Sequence, residues 1–189
     1  MEPHFAPNDK QMFYRYLDRA TTYFEFGAGG STYQAAQRPN LLAIYSIESD
    51  KVWHARMTAL LCDKPCVTCI YSEMGAQPNN WGYPGPACTN EQKVGYSNRI
   101  RLLEAAAALD LILIDGRFRV ACCLKCFDVI GDACLIAFDD FLDRSAYHVV
   151  LAYYDIVERT ADNRMVILKK KAGATVPKEL VEKYELVSG

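Results

Sequence analysis

Residues 21–31 read Thr-Thr-Tyr-Phe-Glu-Phe-Gly-Ala-Gly-Gly-Ser, a β-branched and aromatic run that ends in glycines. Thr22, Tyr23, Phe24 and Phe26 suit a buried strand, because such side chains fill a covered, pleated surface. Gly27, Gly29 and Gly30 permit a tight turn and a close approach of backbone to a ligand. Ser31 is placed to cap the helix that follows. A strand passing through a glycine turn into a helix is the architecture of a nucleotide-cofactor loop, so the stretch predicts an α/β sheet with a small molecule at its edge.

Spacing separates the cofactor classes. A dinucleotide fold requires G-x-G-x-x-G, and Thr32 stands where the last glycine belongs. Glu25, two residues before the first glycine, can accept from a cationic ligand but would repel a pyrophosphate. S-adenosylmethionine carries a sulfonium cation and no phosphate. The stretch EFGAGGS resembles the acid-x-Gly-x-Gly loop of class I S-adenosylmethionine-dependent methyltransferases. That resemblance implies a cofactor held by Glu25, Phe26, Gly27, Ala28, Gly29 and Ser31. Glu48, about twenty residues past the turn, is spaced to accept both ribose hydroxyls, with Ser49 beside it. Both nucleotide cofactor classes use such an acid. Ser72 and Glu73, after a third strand, are candidates for adenine contact.

At 189 residues with 51% apolar side chains, the chain fits one domain with a sizeable core. A formal net charge of -2 gives no global electrostatic reason to expect nucleic acid. The basic run Lys169–Lys171 reads as a solvated strand end. The N-terminal stretch lacks a signal-peptide pattern, and no apolar run is long enough for a bilayer, so a cytoplasmic protein without membrane contact is expected. The eight cysteines fall mostly in apolar elements and read as reduced core thiols, including Cys62, Cys66, Cys69, Cys122 and Cys126. Self-association as a homodimer is left open by the sequence.

The order of elements predicts a Rossmann-like, doubly wound sheet over residues 1–189. A first helix capped by Asn8 or Asp9 runs to about Arg19, and the strand at 21–26 follows. A helix at 31–37 ends before Pro39, and a second strand ends at Glu48. A helix over about 50–62 and a strand CVTCIYS come next. DLILID supplies a fourth strand, about 118–130 a helix and ACLIAF a fifth strand. Alternating strands and helices predict right-handed parallel crossovers. After a helical stretch at 145–152, YDIVERT and MVILKK, joined by ADNR, read as a C-terminal antiparallel hairpin, with a last helix near 177–184. Residues 74–94, rich in Pro, Gly and Asn around Trp81 and Tyr83, read as a long loop serving as a substrate lid.

The chemistry of methyl transfer is an in-line displacement, in which the protein aligns and desolvates the nucleophile. Asp115, Asp139 and Asp140 fall at the carboxyl ends of the fourth and fifth strands, where they could ligate Mg²⁺ and assist deprotonation of a hydroxyl. Their placement is similar to that of the metal-dependent catechol and caffeoyl-CoA O-methyltransferases. Here FDDF replaces that family's Asp-Asn, and DGRFRVACC replaces its lysine-bearing segment. IDGRFRVA resembles a recurrent segment in methyltransferase-like proteins. Asp115, Asp139 and His148 are the expected catalytic groups, and Arg117 with Arg119 could hold an anionic acceptor. The expected activity is O-methylation of a small molecule. A non-catalytic ligand-binding or interaction module, or an NAD(P)-binding oxidoreductase, is the alternative.

Overall fold

Strand β1 (Thr22–Phe26) lies in the interior of a seven-stranded sheet, its side chains covered on both faces; Tyr23, Phe24 and Phe26 expose nothing to solvent. The computed structural model describes residues 1–160 and 164–189. β1 pairs in parallel with β2 (Ala43–Glu48) and with β4 (Leu111–Ile114). β3 (Val67–Tyr71) extends the sheet beyond β2, and β5 (Leu135–Phe138) extends it beyond β4. The order 3-2-1-4-5-7-6 reverses direction at β1, which opens a crevice at the carboxyl ends of β1 and β4.

The expected hairpin is present. β7 (Val166–Lys170) runs antiparallel to β5, and β6 (Tyr154–Arg159) forms the edge. Residues 161–163 of the ADNR connection lie outside the described residues.

Helices cover both faces of the sheet. On one face, α1 (Pro7–Leu17), α2 (Gly30–Ala36) and α3 (Lys51–Leu60) bury Phe13, Leu17, Ala35 and Met57 against Tyr23, Ile44 and Leu111. On the other, α4 (Asn90–Ser97), α5 (Arg119–Cys126) and α6 (Lys178–Tyr184) close over Phe24, Phe26, Ile112 and Ile136. Every residue of α5 is buried. Small thiols at Cys122, Cys123 and Cys126 let it pack this deeply, and burial pushes their pKa values up, leaving them as inert thiols. Lys125, also fully buried, pairs with Glu185 at 2.5 Å and donates to Ser97 Oγ at 2.8 Å, tying α5 to α4 and the end of α6.

Several local expectations change. Asp9 does not cap α1; its buried carboxylate accepts from the Met165 N–H at 3.1 Å and fixes the start of β7. The region read as a loop to residue 94 becomes helix at Asn90, where the Thr89 and Gln92 side chains form a reciprocal cap. The helical stretch expected at 145–152 is a 3-10 helix, Ser145–Ala152.

Candidate functional site

The glycine turn is held from behind, and the acid before it is the anchor. Strand alternation puts Glu25 on the same face as Tyr23, under α2, and completely buried. Its carboxylate accepts from Tyr23 Oη at 2.8 Å and Ser31 Oγ at 2.6 Å, and from Thr32 Oγ1. Thr32 Oγ1 in turn accepts from the Gly29 N–H at 2.9 Å, so the carboxylate reaches the loop backbone through one hydroxyl. Burial pushes the Glu25 pKa up, opposed by the hydrogen bonds from Ser31 and Thr32. Glu25 therefore does not contact a ligand in the cleft, which corrects the expectation that it faces a cation. Thr32, which enters the sequence argument only as a missing glycine, is part of the same support.

Gly27 (φ +99°) lies in the left-handed region, and a Cβ there would sit 3.0 Å from Gly116, so the turns after β1 and β4 meet across it. A Cβ on Gly30 would lie 2.2 Å from Glu2, because the N-terminal residues cross the start of α2.

Above this turn lies a cleft of about 680 Å³, lined among others by Gly27–Ser31, Glu48, Asp50, Trp53, Tyr96 and Asp115. Glu48 ends β2 and bounds one flank. Its Oε1 accepts from the Ser49 and Asp50 N–H groups at 2.6 and 2.7 Å. Burial raises its pKa to about 7, against the lowering effect of those donors. Asp50 caps α3 through the Val52 and Trp53 N–H groups, and Trp53 Nε1 donates to the Ala28 carbonyl at 2.8 Å, clamping the glycine turn from the side.

Residues 79–83 lie across this flank. Asp50 Oδ2 accepts from the Asn79 N–H at 3.1 Å, Ser49 Oγ donates to the Gly82 carbonyl at 3.1 Å, and Tyr83 stacks under the Arg117 guanidinium at 4.3 Å. Trp81 meets His4 edge-on at 5.7 Å, so this loop touches the N-terminal segment that forms the opposite lip.

The other flank, after β4 and β5, gathers the three expected aspartates, but around a guanidinium. Phe118 adopts a left-handed conformation (φ +53°) and swings Arg119 back over the strand ends. Such a conformation costs about 1–2 kcal/mol for a non-glycine residue. Arg119 offsets it with donors to the Gly116, Asp115 and Asp139 carbonyls and to Asp115 Oδ1, at 2.7–3.1 Å. Its NH1 also lies 3.7 Å from Asp139 Oδ2 and 3.5 Å from Asp140 Oδ2.

A divalent cation at the same place would be repelled by this fixed positive charge. Among the described residues no group of three His, Cys, Asp or Glu side chains is arranged to hold a metal. The Mg²⁺ expectation is corrected on that ground.

The aspartates differ in state. Asp139 is almost fully buried, its Oδ1 has no hydrogen-bond partner, and burial with the neighbouring Asp115 and Asp140 carboxylates raises its pKa. Asp115 is also raised by burial, opposed by Arg119. Asp140, left-handed at φ +57°, accepts from Arg144 at 2.8 Å and Arg164 at 2.6 Å. Burial raises its pKa, but these arginines and Arg119 outweigh it and hold the pKa below the usual value.

Among the other expected site residues, Gly27, Ala28, Gly29, Ser31, Glu48, Ser49 and Asp115 line the cleft together with Asp139 and Asp140. Phe26 points into the core, 4.9 Å from the Phe24 ring. Ser72 is buried away from the cleft and donates its N–H to the Glu48 carbonyl. Glu73 is exposed and closes a local turn with Tyr71 and Gly75. His148 packs on Phe141 with Nε2 3.2 Å from that residue's carbonyl, outside the cleft, so it is not positioned as a base. Trp53, Tyr96, Arg144 and Arg164 join the cleft without having been singled out in the sequence.

No family model and no curated protein matches the sequence. Among solved structures, a methyltransferase-like protein from Silicibacter pomeroyi is 25% identical with a TM-score of 0.86, covering 100% of this chain and 98% of that one. Aeropyrum pernix fibrillarin, with natively bound S-adenosyl-L-methionine, is 11% identical with a TM-score of 0.55 over 82% of this chain and 68% of its own. An RNA methyltransferase from Salinibacter ruber, in complex with S-adenosyl-L-homocysteine, is 11% identical with a TM-score of 0.54 over 92% of this chain and 97% of its own. The last two are alike in fold alone.

Proposed function

We propose that this protein, which belongs to the class I S-adenosylmethionine-dependent methyltransferase superfamily, binds S-adenosylmethionine in the cleft and methylates a hydroxyl of a small molecule. The observation that carries the reading is Glu48. Its carboxylate bounds the cleft beside a backbone-lined glycine turn, its Oε1 accepts from the Ser49 and Asp50 N–H groups, and the Ala28 backbone of the turn also donates to the carboxylate. Each carboxylate oxygen has more than one acceptor site, and ribose hydroxyls are the natural further donors at such a strand end. The bound cofactor supplies an electrophilic methyl group on a sulfonium.

The chain's own part is to bind, orient and accept a proton. The glycine turn, braced by Glu25, Thr32 and Trp53, presents backbone to the ligand without side-chain obstruction. Asp139 is the proposed base: the residue lines the cleft, and its pKa, raised to about 8 by burial beside Asp115 and Asp140, makes its ionised form a strong proton acceptor that becomes populated as pH rises through 8. Arg119 positions Asp139 and Asp115 rather than touching the reacting atoms.

A small acceptor is favoured over a polymer because the N-terminal residues and the lid meet over the cleft at His4 and Trp81. A non-catalytic module would share the cofactor site, but nothing in a binding role alone requires a buried carboxyl oxygen without a donor.

Calorimetric titration with S-adenosylhomocysteine, with NAD as control, tests the reading. Saturable binding of S-adenosylhomocysteine at one site per chain, and none of NAD, is expected. Tighter binding of NAD would turn the reading toward an oxidoreductase.

A further inference from the structure

We infer that the methyl acceptor bears an acidic group, a carboxylate or a phosphate monoester, seated against Arg144 and Arg164, while its hydroxyl meets Asp139. The inference rests on the cofactor reading above and adds the chemical class of the acceptor.

Three observations support it. The first is charge. Arg117, Arg119, Arg144 and Arg164 line this flank of the cleft against Asp115, Asp139 and Asp140, four cations to three carboxylates before any proton is shared between the buried acids. The second is the way Asp140 is used. One carboxylate serves two rim guanidiniums, Arg164 on Oδ1 and Arg144 on Oδ2, with Arg119 also 3.5 Å from Oδ2.

Arg119 is 4% exposed and its donors are taken, whereas Arg144 and Arg164 are 41% and 40% exposed. Among the described residues Arg164 donates only to Asp140, and Arg144 only to Asp140 and the Tyr147 hydroxyl at 2.9 Å. Two planar guanidiniums with spare N–H donors suit an oxyanion, which can accept from both. The third is Asp139, a residue that lines the same cleft and whose buried Oδ1 has no hydrogen-bond partner. A ligand that brings a hydroxyl to Asp139 and an acidic group to the rim satisfies all three.

Transfer then balances as follows. The acceptor oxygen forms a bond to the methyl carbon, the carbon–sulfur bond breaks with its electron pair passing to sulfur, and the hydroxyl proton passes to Asp139. The products are a methyl ether, S-adenosylhomocysteine and a protonated carboxyl.

The test is calorimetry on protein saturated with S-adenosylhomocysteine, using 3-hydroxybenzoate, phenyl phosphate and phenol as probes. One or both anions are expected to bind one per chain, at least about tenfold more tightly than phenol. The tighter of the two identifies the acidic group. In the double variant Arg144→Gln, Arg164→Gln, anion binding is expected to fall at least about tenfold, with S-adenosylhomocysteine affinity within about twofold of the parent.

If that variant does not fold, Arg144→Lys, Arg164→Lys keeps both charges and is expected to lose at least about threefold. Binding of phenol as tight as that of the anions, binding of neither anion, or anion binding indifferent to the variants would overturn the inference while leaving the cofactor reading intact. Failure of S-adenosylhomocysteine to bind would remove the cofactor reading and this inference with it.

Discussion

The two flanks of the cleft are built on opposite electrostatic plans. On the β2 flank, one carboxylate, Glu48, is held by main-chain N–H groups beside the loop at residues 79–83. On the β4–β5 flank, carboxylates and guanidiniums interlock, and the arginines outnumber the acids. The first arrangement suits a neutral diol that needs an acceptor. The second suits an anion and a proton to be moved. A ligand with a sugar at one end and a transferable group at the other would span the difference, and the glycine turn between the flanks is the only part that must stay free of side chains.

Breaking each flank in turn should give separable defects. The largest effect is expected for Asp139→Asn, which keeps the shape and removes the proposed base. Methyl transfer should fall at least about 100-fold, with S-adenosylhomocysteine binding within about twofold, measured by labelled-methyl transfer beside calorimetry. Glu48→Ala acts on the other flank. Hydrogen bonds to a charged group contribute about 1.5–3 kcal/mol each, so loss of even one should weaken S-adenosylhomocysteine affinity at least roughly tenfold, and an unchanged dissociation constant would contradict the ribose assignment. Thr32→Val tests the brace beneath the turn. It removes one donor from the buried Glu25 carboxylate and the acceptor of the Gly29 N–H, and a loss of about 1–3 kcal/mol in urea unfolding is expected.

The pH response sharpens the contrast further. Glu48 has its pKa raised from 4.5 to about 7 by burial, so in the free protein its contribution to stability is fully present below pH 4.5 and is lost as pH rises through 7. Hydroxyl donors from a bound ribose favour the ionised form. Affinity for S-adenosylhomocysteine should therefore rise between pH 6 and 8, by at most about tenfold, and the rise should vanish in Glu48→Gln. The smallest change is expected for Trp81→Ala at the exposed lid tip, within about 0.5 kcal/mol of the parent in stability, measured by the same urea titration.

Much of this architecture was legible in the sequence. Continuous apolar runs such as LILI could only be central strands, and the alternating C-terminal pair could only be a hairpin. The position of Glu48 at the cleft was legible in its distance from the glycine turn. Glu25 was misplaced because proximity to the glycines outweighed strand parity, which already sets it on the face of Tyr23 and away from Phe24. The aspartates were correctly brought to one edge, but Arg119 among them depends on a left-handed Phe118, a backbone choice that no local residue pattern announces. His148 drew attention as a titratable group; its partner, the Phe141 carbonyl, is a matter of tertiary packing.

The central claim is that the Glu48 flank and the glycine turn cradle S-adenosylmethionine. A crystal structure with S-adenosylhomocysteine tests it most directly. The account predicts both ribose hydroxyls on the Glu48 carboxylate and the sulfur above Gly27–Gly29, pointing toward Asp139. A ligand bound elsewhere, or a cleft filled by the protein's own side chains with Glu48 turned out of it, would contradict the account.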